Sequence, residues 1–126
     1  MIKNILAIDD SAAMRQILSA TLAAVGYRVV VAVDGAEGYE AALAQQFDLI
    51  VTDQNMPAMS GLELIGKLRG HRPYANTPIL VLTTESSEPF KAAARAAGAT
   101  GWIEKPFDPD MLSELVTTLS EAEHPH

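Results

Sequence analysis

Cysteine is absent from this 126-residue chain, which excludes disulfides, thiolate metal sites and a cysteine nucleophile, and permits a reducing compartment. Basic residues are scarce: 9 Lys+Arg against 16 Asp+Glu give a formal charge of −7. That balance argues against a nucleic-acid surface, which needs basic stripes, and leaves room for a basic protein partner. No apolar run approaches the ~20 residues of a membrane span, and Met1-Ile2-Lys3-Asn4 lacks the layout of a secretory signal. His71, His124 and His126 have no metal-ligand spacing with a fourth ligand. Linkers, repeats and low-complexity tracts are missing too. A single domain over residues 1–126, cytoplasmic and without an output domain, is therefore expected.

What is present is an alternation. Five β-like runs, Ile2–Ile8, Tyr27–Ala32, Phe47–Thr52, Pro78–Leu82 and Gly101–Glu104, alternate with five helix-like segments. The runs are continuous rather than alternating in polarity, which suits strands buried on both faces. Met14, Ile17, Leu18, Thr21, Leu22 and Val25 trace a stripe at helical spacing before Gly26. Ser60 and Glu63 form a capping-box pattern ahead of Leu64, Ile65 and Leu68. Gly98 is predicted to end a helix from about Pro89 to Ala97, whose alanines suit close packing on a sheet or a helix free to shift. Asp108-Pro109 reads as an N-cap with proline at the first helical position, and Met111, Leu112, Leu115, Val116 and Leu119 as the buried face that follows. Residues 121–126 read as a frayed end. The (βα)5 order implies a doubly wound α/β fold with right-handed crossovers and a parallel sheet covered on both faces.

Open α/β sheets bind ligands beyond the carboxyl ends of their strands. Reading off those ends gives Asp9-Asp10 after the first strand, Asp53 after the third, Thr83 after the fourth and Lys105 after the fifth. Three converging carboxylates repel one another unless a cation sits among them. Mg²⁺ prefers such oxygen ligands and serves phosphate chemistry. One carboxylate can act as nucleophile and form an acyl phosphate, while a hydroxyl and an ammonium can bind the remaining phosphoryl oxygens. Val33-Asp34-Gly35, after the second strand, reads as a plain turn.

With these residues stand Asp53-Gln54-Asn55-Met56-Pro57, Ser60-Gly61, Thr83-Thr84-Glu85, Ala97-Gly98-Ala99 and Gly101-Trp102-Ile103-Glu104-Lys105-Pro106-Phe107. In that order and at those strand ends, from Ile2 to about Leu119, the chain resembles the receiver domain of bacterial two-component response regulators. The resemblance implies a flavodoxin-like, CheY-like sheet of strand order 2-1-3-4-5. It implies Asp53 as phosphoacceptor, taking its group from a sensor histidine kinase. One Mg²⁺ is implied on Asp10 and Asp53, with Asp9 acting mainly through water and Asn55 offering its backbone carbonyl. Lys105 and Thr83 are the implied phosphoryl partners, Lys105-Pro106 the implied cis bond, and Trp102 the aromatic that turns inward on activation. The family commonly has Tyr or Phe there; indole is bulkier and donates only through its N–H. Asn55 and Glu85 are the implied tuners of hydrolysis, and Gln54 falls at a variable position.

Each residue alone has an ordinary explanation. Asp10 beside Ser11 could cap a helix, Asp53 could serve a turn, and Thr83 could be merely β-branched. Lys105 could be a solvated charge and Trp102 core packing. The ordered combination outweighs these. Thr83-Thr84-Glu85 and Gly101-Trp102-Ile103 are similar to chemotaxis regulators of the CheY type. A monomeric switch that binds a flagellar motor switch protein through its α4-β5-α5 surface, and meets a phosphatase, is therefore expected. The alternatives are a phosphorelay shuttle to a histidine phosphotransfer protein and an aspartyl-nucleophile phosphatase of the haloacid dehalogenase type. The latter needs a second Asp where Asn55 stands, so no activity beyond self-phosphorylation and dephosphorylation is expected. A flavodoxin-like electron carrier lacks its flavin-phosphate loop here, and Asp9-Asp10 would repel that phosphate.

Overall fold

The computed structural model describes residues 2–122 and shows five parallel strands in the order β2-β1-β3-β4-β5. They are β1 (Asn4–Ile8), β2 (Arg28–Ala32), β3 (Leu49–Asp53), β4 (Ile79–Thr83) and β5 (Gly101–Glu104). The helices are α1 (Ala12–Ala23), α2 (Gly35–Ala44), α3 (Gly61–Arg69), α4 (Glu88–Ala97) and α5 (Pro109–Ala122), with a 3-10 turn at Arg72–Tyr74. The expected doubly wound architecture is present. Successive residues of one strand serve opposite faces. Leu6, Ile8, Ile50 and Val81 pack with α2, α3 and α4. Ile5, Ala7, Val51, Leu82 and Ile103 pack with α1 and α5. This two-sided burial is why the strands carry unbroken apolar runs.

Several boundaries differ from expectation. β1 begins at Asn4 and β3 at Leu49, because the Asp48 carboxylate draws the backbone N–H groups of Lys3 and Asn4 to itself, both at 2.9 Å. β2 begins at Arg28, one residue after the predicted Tyr27. β3 and β4 each extend one residue further, so Asp53 and Thr83 are the last residues of strands rather than the first of loops. On α1 only Leu18 and Leu22 are fully buried. Ile17, rotated about 100° from Leu18, is exposed, and Val25 is exposed beyond the helix end. Met111 precedes buried Leu112 by one position and is likewise exposed. Of the predicted frayed end, residues 123–126 lie outside the described range, whereas Glu121 belongs to α5.

The predicted stops and starts hold. Ser60 and Glu63 exchange both bonds of a capping box. Gly98 takes the left-handed conformation that ends α4, with φ of 100°. Asp108 accepts from the N–H of Asp110 at the start of α5, at 2.9 Å. Asp34, read only as a turn residue, caps α2 by accepting from the N–H of Glu37.

Two side chains bind the far edge of the sheet together. The Arg69 guanidinium donates to the carbonyls of Tyr74, Thr77 and Gly98, at 2.7, 2.6 and 2.9 Å. Tyr74 is fully buried; its hydroxyl reaches the carbonyls of Ala42 and Gln45 and accepts from the N–H of Phe47. Burial raises the phenol pKa above its ordinary value. Tyr74→Phe leaves that buried N–H and the carbonyls unsatisfied at nearly constant volume. A stability loss of about 1–3 kcal/mol is expected, read from urea unfolding as a lower midpoint with an unchanged slope.

Candidate functional site at the carboxyl edge of the sheet

The strand order reverses between β1 and β3, and the acidic residues stand at that switch point. Ile8 pairs with Thr52, which brings Asp9 and Asp53 side by side. Asp53 pairs with Leu82, and Thr83 with Glu104, which sets Thr83 and Lys105 along the same edge. Parallel strands that end in register thus gather residues nearly a hundred positions apart.

Asp9 and Asp53 are both buried, while Asp10 is exposed. One carboxylate oxygen from each of Asp9, Asp10 and Asp53 lies within 4.8 Å of the others. Lys105 Nζ donates to Asp53 Oδ1 at 2.6 Å and stands 3.6 Å from Asp9 Oδ2. Asp9 Oδ1 accepts from the N–H of Ser11 at 2.9 Å, whereas Oδ2 is buried without a hydrogen-bond partner. Desolvation pushes the Asp9 carboxyl above its ordinary pKa of 3.8, against the Ser11 hydrogen bond and Lys105, and the charges of Asp53 and Asp10 push the same way. A buried, unsatisfied carboxylate oxygen beside two further carboxylates is a place made for a cation. The donor set is all oxygen, as a hard divalent ion such as Mg²⁺ requires, and one exposed member leaves room for ordered waters. The residues present therefore fit such an ion.

The surrounding loops hold these groups in place. The N–H of Gln54 donates to Leu82 O at 2.9 Å, and Gln54 O accepts from the N–H of Gly61 at 3.0 Å. The Gln54 side chain accepts from the N–H of Leu62 at 2.9 Å, fastening the residue after Asp53 to the start of α3. A Cβ on Gly61 would collide with the carbonyl oxygen of Asp53, so only glycine lets α3 approach this closely. Arg15 of α1 reaches over to donate to Asp9 O at 2.8 Å. Neither Gln54 nor Arg15 was visible as a site residue in the sequence; glutamine and arginine in loops and first turns are commonplace, and only the partner across space gives them a role.

The other predicted residues lie as follows. Thr83 is buried, and its hydroxyl oxygen accepts from the N–H of Glu85 at 2.8 Å, leaving the O–H as a donor. Asn55 and Glu85 are both exposed, in the loops after β3 and β4. Trp102 is half-buried in β5 on the α4 side of the sheet, with the Arg95 guanidinium 5.2 Å from its ring centroid. The Lys105-Pro106 bond is cis. Asp10 does not cap α1: Ser11 does, accepting from the N–H of Met14.

Comparison with known proteins agrees with this arrangement. Residues 5–117 match the model of the response regulator receiver domain. A chemotaxis protein CheY homolog of Campylobacter jejuni is 38% identical over 113 residues, covering 88% of this chain and 87% of its own. The structure of the chemotaxis protein CheY4 of Vibrio cholerae superposes with a TM-score of 0.89 at 43% identity, covering 94% of this chain and 98% of that one. A response regulator protein from Burkholderia multivorans superposes with a TM-score of 0.82 at 63% identity, covering 100% of this chain and 98% of its own. A family model spanning most of the chain, relatives matched over most of their length, and the convergence of Asp9, Asp53, Thr83 and Lys105 at one sheet edge lead to one conclusion: the chain belongs to the response regulator receiver domain family and is of the CheY type.

Proposed function

We propose that this protein is a phosphorylation-activated signalling switch whose phosphoacceptor is Asp53. The observation that carries the reading is the setting of that carboxylate. It lies at the end of a central strand, 2.6 Å from the Lys105 ammonium and next to Asp9, whose buried Oδ2 has no hydrogen-bond partner. An Asp53 oxygen attacks the phosphorus of a phosphohistidine on a sensor histidine kinase. The P–N bond breaks, the imidazole nitrogen keeps the electron pair, and an acyl phosphate forms on Asp53. Lys105 stays beside the new group as a fixed positive charge, and the Thr83 O–H is placed to donate to one of its oxygens. The return step is attack of water on the same phosphorus, which releases inorganic phosphate and restores the carboxylate. Asn55 and Glu85, exposed on either side, control the approach of that water.

Asp9, Asp10 and Asp53, with the backbone carbonyl of Asn55, would hold one Mg²⁺, which when bound offsets the carboxylate repulsion and screens charge on the transferring phosphoryl group. Activation draws Thr83 towards the phosphoryl group and Trp102 inward. The face formed by α4, β5 and α5 then presents a changed surface to a downstream partner. The relatives named as chemotaxis proteins favour a flagellar motor switch protein as that partner. Asn55, where a phosphatase would need a second acid, favours a protein that turns over only its own phosphate.

Asp53→Asn is expected to reduce labelling by a phosphorylated sensor kinase, or by acetyl phosphate with Mg²⁺, to background while the circular dichroism spectrum is kept. Full labelling of the variant would move the nucleophile elsewhere.

The metal assignment has its own signature in pH. Because the folded pKa of Asp9 is raised, the folded state holds that proton more tightly than the unfolded chain. Its contribution to stability is therefore greatest at acidic pH and declines as pH rises from about 3.8 through the raised value. Mg²⁺ bound beside the buried Asp9 carboxyl opposes that decline, and at ten times its Kd it should add about 1.4 kcal/mol, a rise of a few degrees in Tm. The rise should shrink as pH falls through the carboxylate range. A Tm shift that is absent, or that does not depend on pH, counts against the site.

A further inference from the structure

The contact between Arg95 and Trp102 is not explained by packing or by the chemistry at the sheet edge. Trp102 pairs in register with Val81, two residues before Thr83, so the indole and Thr83 share the α4 face of the sheet. The helix above it is built largely of alanine: Phe90 and Ala94 are buried, while Ala92, Ala93 and Ala96 are exposed. Such a helix leaves part of the indole uncovered, and one long side chain reaches it. The Arg95 guanidinium lies 5.2 Å from the ring centroid, within cation–π range. Lys91, one turn earlier on the same helix, is engaged with Glu88 at 3.4 Å. Among the described residues Arg95 has no ion pair with a carboxylate, so the indole face is what it binds.

We propose that Arg95 is a positioning residue that holds Trp102 in its half-exposed place and thereby sets how readily the site is activated. The proposal rests on the switch reading above and deepens it. The physical point is differential contact. The guanidinium contact on the partly buried indole belongs to the arrangement seen here and would be lost if the ring turned further in beneath α4. A contact made in one state alone shifts the equilibrium towards that state. For a solvent-facing cation–π pair the shift is a factor of about two to five. By linkage, a ligand that favours the inward state binds weaker by the same factor. Arginine at this position would thus restrain the bulkier indole that stands here in place of the family's Tyr or Phe.

The test uses beryllofluoride with Mg²⁺ as the phosphoryl mimic, titrated by calorimetry on the full chain, with thermal shift as an independent measure of binding. Arg95→Ala is expected to tighten the beryllofluoride Kd about two- to fivefold. The side chain is exposed and alanine is a good helix former, so the fold should be kept. Arg95→Lys, which retains a cation on a flexible stem, should stay nearer the parent value. In a Trp102→Leu background the Arg95→Ala effect should vanish, since the cycle isolates the pair. A merely structural role for Arg95 would instead weaken binding. The proposal is overturned if Arg95→Ala leaves the Kd unchanged or weaker, or if the same tightening persists without Trp102. If the parent protein shows no beryllofluoride binding by either readout, the switch reading itself fails, which is a distinct result.

Discussion

Lys105 places one positive charge 2.6 Å from Asp53 and 3.6 Å from Asp9, and the carboxyl edge of the sheet is arranged around that charge. Two buried carboxylates and a third at the rim are more negative charge than one ammonium can offset. The surplus is expressed at Asp9, whose buried Oδ2 lacks a hydrogen bond and whose pKa is raised by desolvation and by its acidic neighbours. The site is therefore incomplete by design of its charges. It favours ligands that bring positive charge to Asp9 and Asp10.

That arrangement needs a rigid frame, because a displaced carboxylate would lose both Lys105 and its neighbours. The frame comes from both sides of Asp53. Register with Leu82 fixes the strand, and the residue after it is fastened three times, through Gln54 N, Gln54 O and the Gln54 side chain. Gly61 permits the approach by having no Cβ. At the other end of the sheet, Arg69 and Tyr74 gather the ends of α2, α3 and α4 by hydrogen bonds to carbonyls. The α4 side is built largely of small residues. The Arg95–Trp102 pair lies there.

Much of this is legible in the sequence alone. Period and length gave the five strands and five helices, and the capping residues Ser60, Gly98 and Asp108 marked true ends. These signals are local: a cap or a buried strand is specified by residues within a few positions of each other. Errors arose where burial depends on a neighbouring element. Ile17 and Met111 lie one position from a buried leucine, and whether a flanking residue is covered depends on the width of the opposing surface. The roles of Gln54, Arg15, Arg69 and Arg95 were illegible, because each acts on a partner set by tertiary packing.

The sequence by itself determined which chemical groups stand at the strand ends, since the residue that terminates an apolar run is written in the chain. Parallel pairing then had to bring those ends to a common edge, and the family pattern already implied that it would. Only the tertiary structure decided how the charges divide. It buried Asp9 and exposed Asp10, gave the Lys105 hydrogen bond to Asp53, and left one Asp9 oxygen without a hydrogen bond. It also placed a guanidinium over the single tryptophan. Burial and distance set the strength of each charge, and neither exists until the chain is folded.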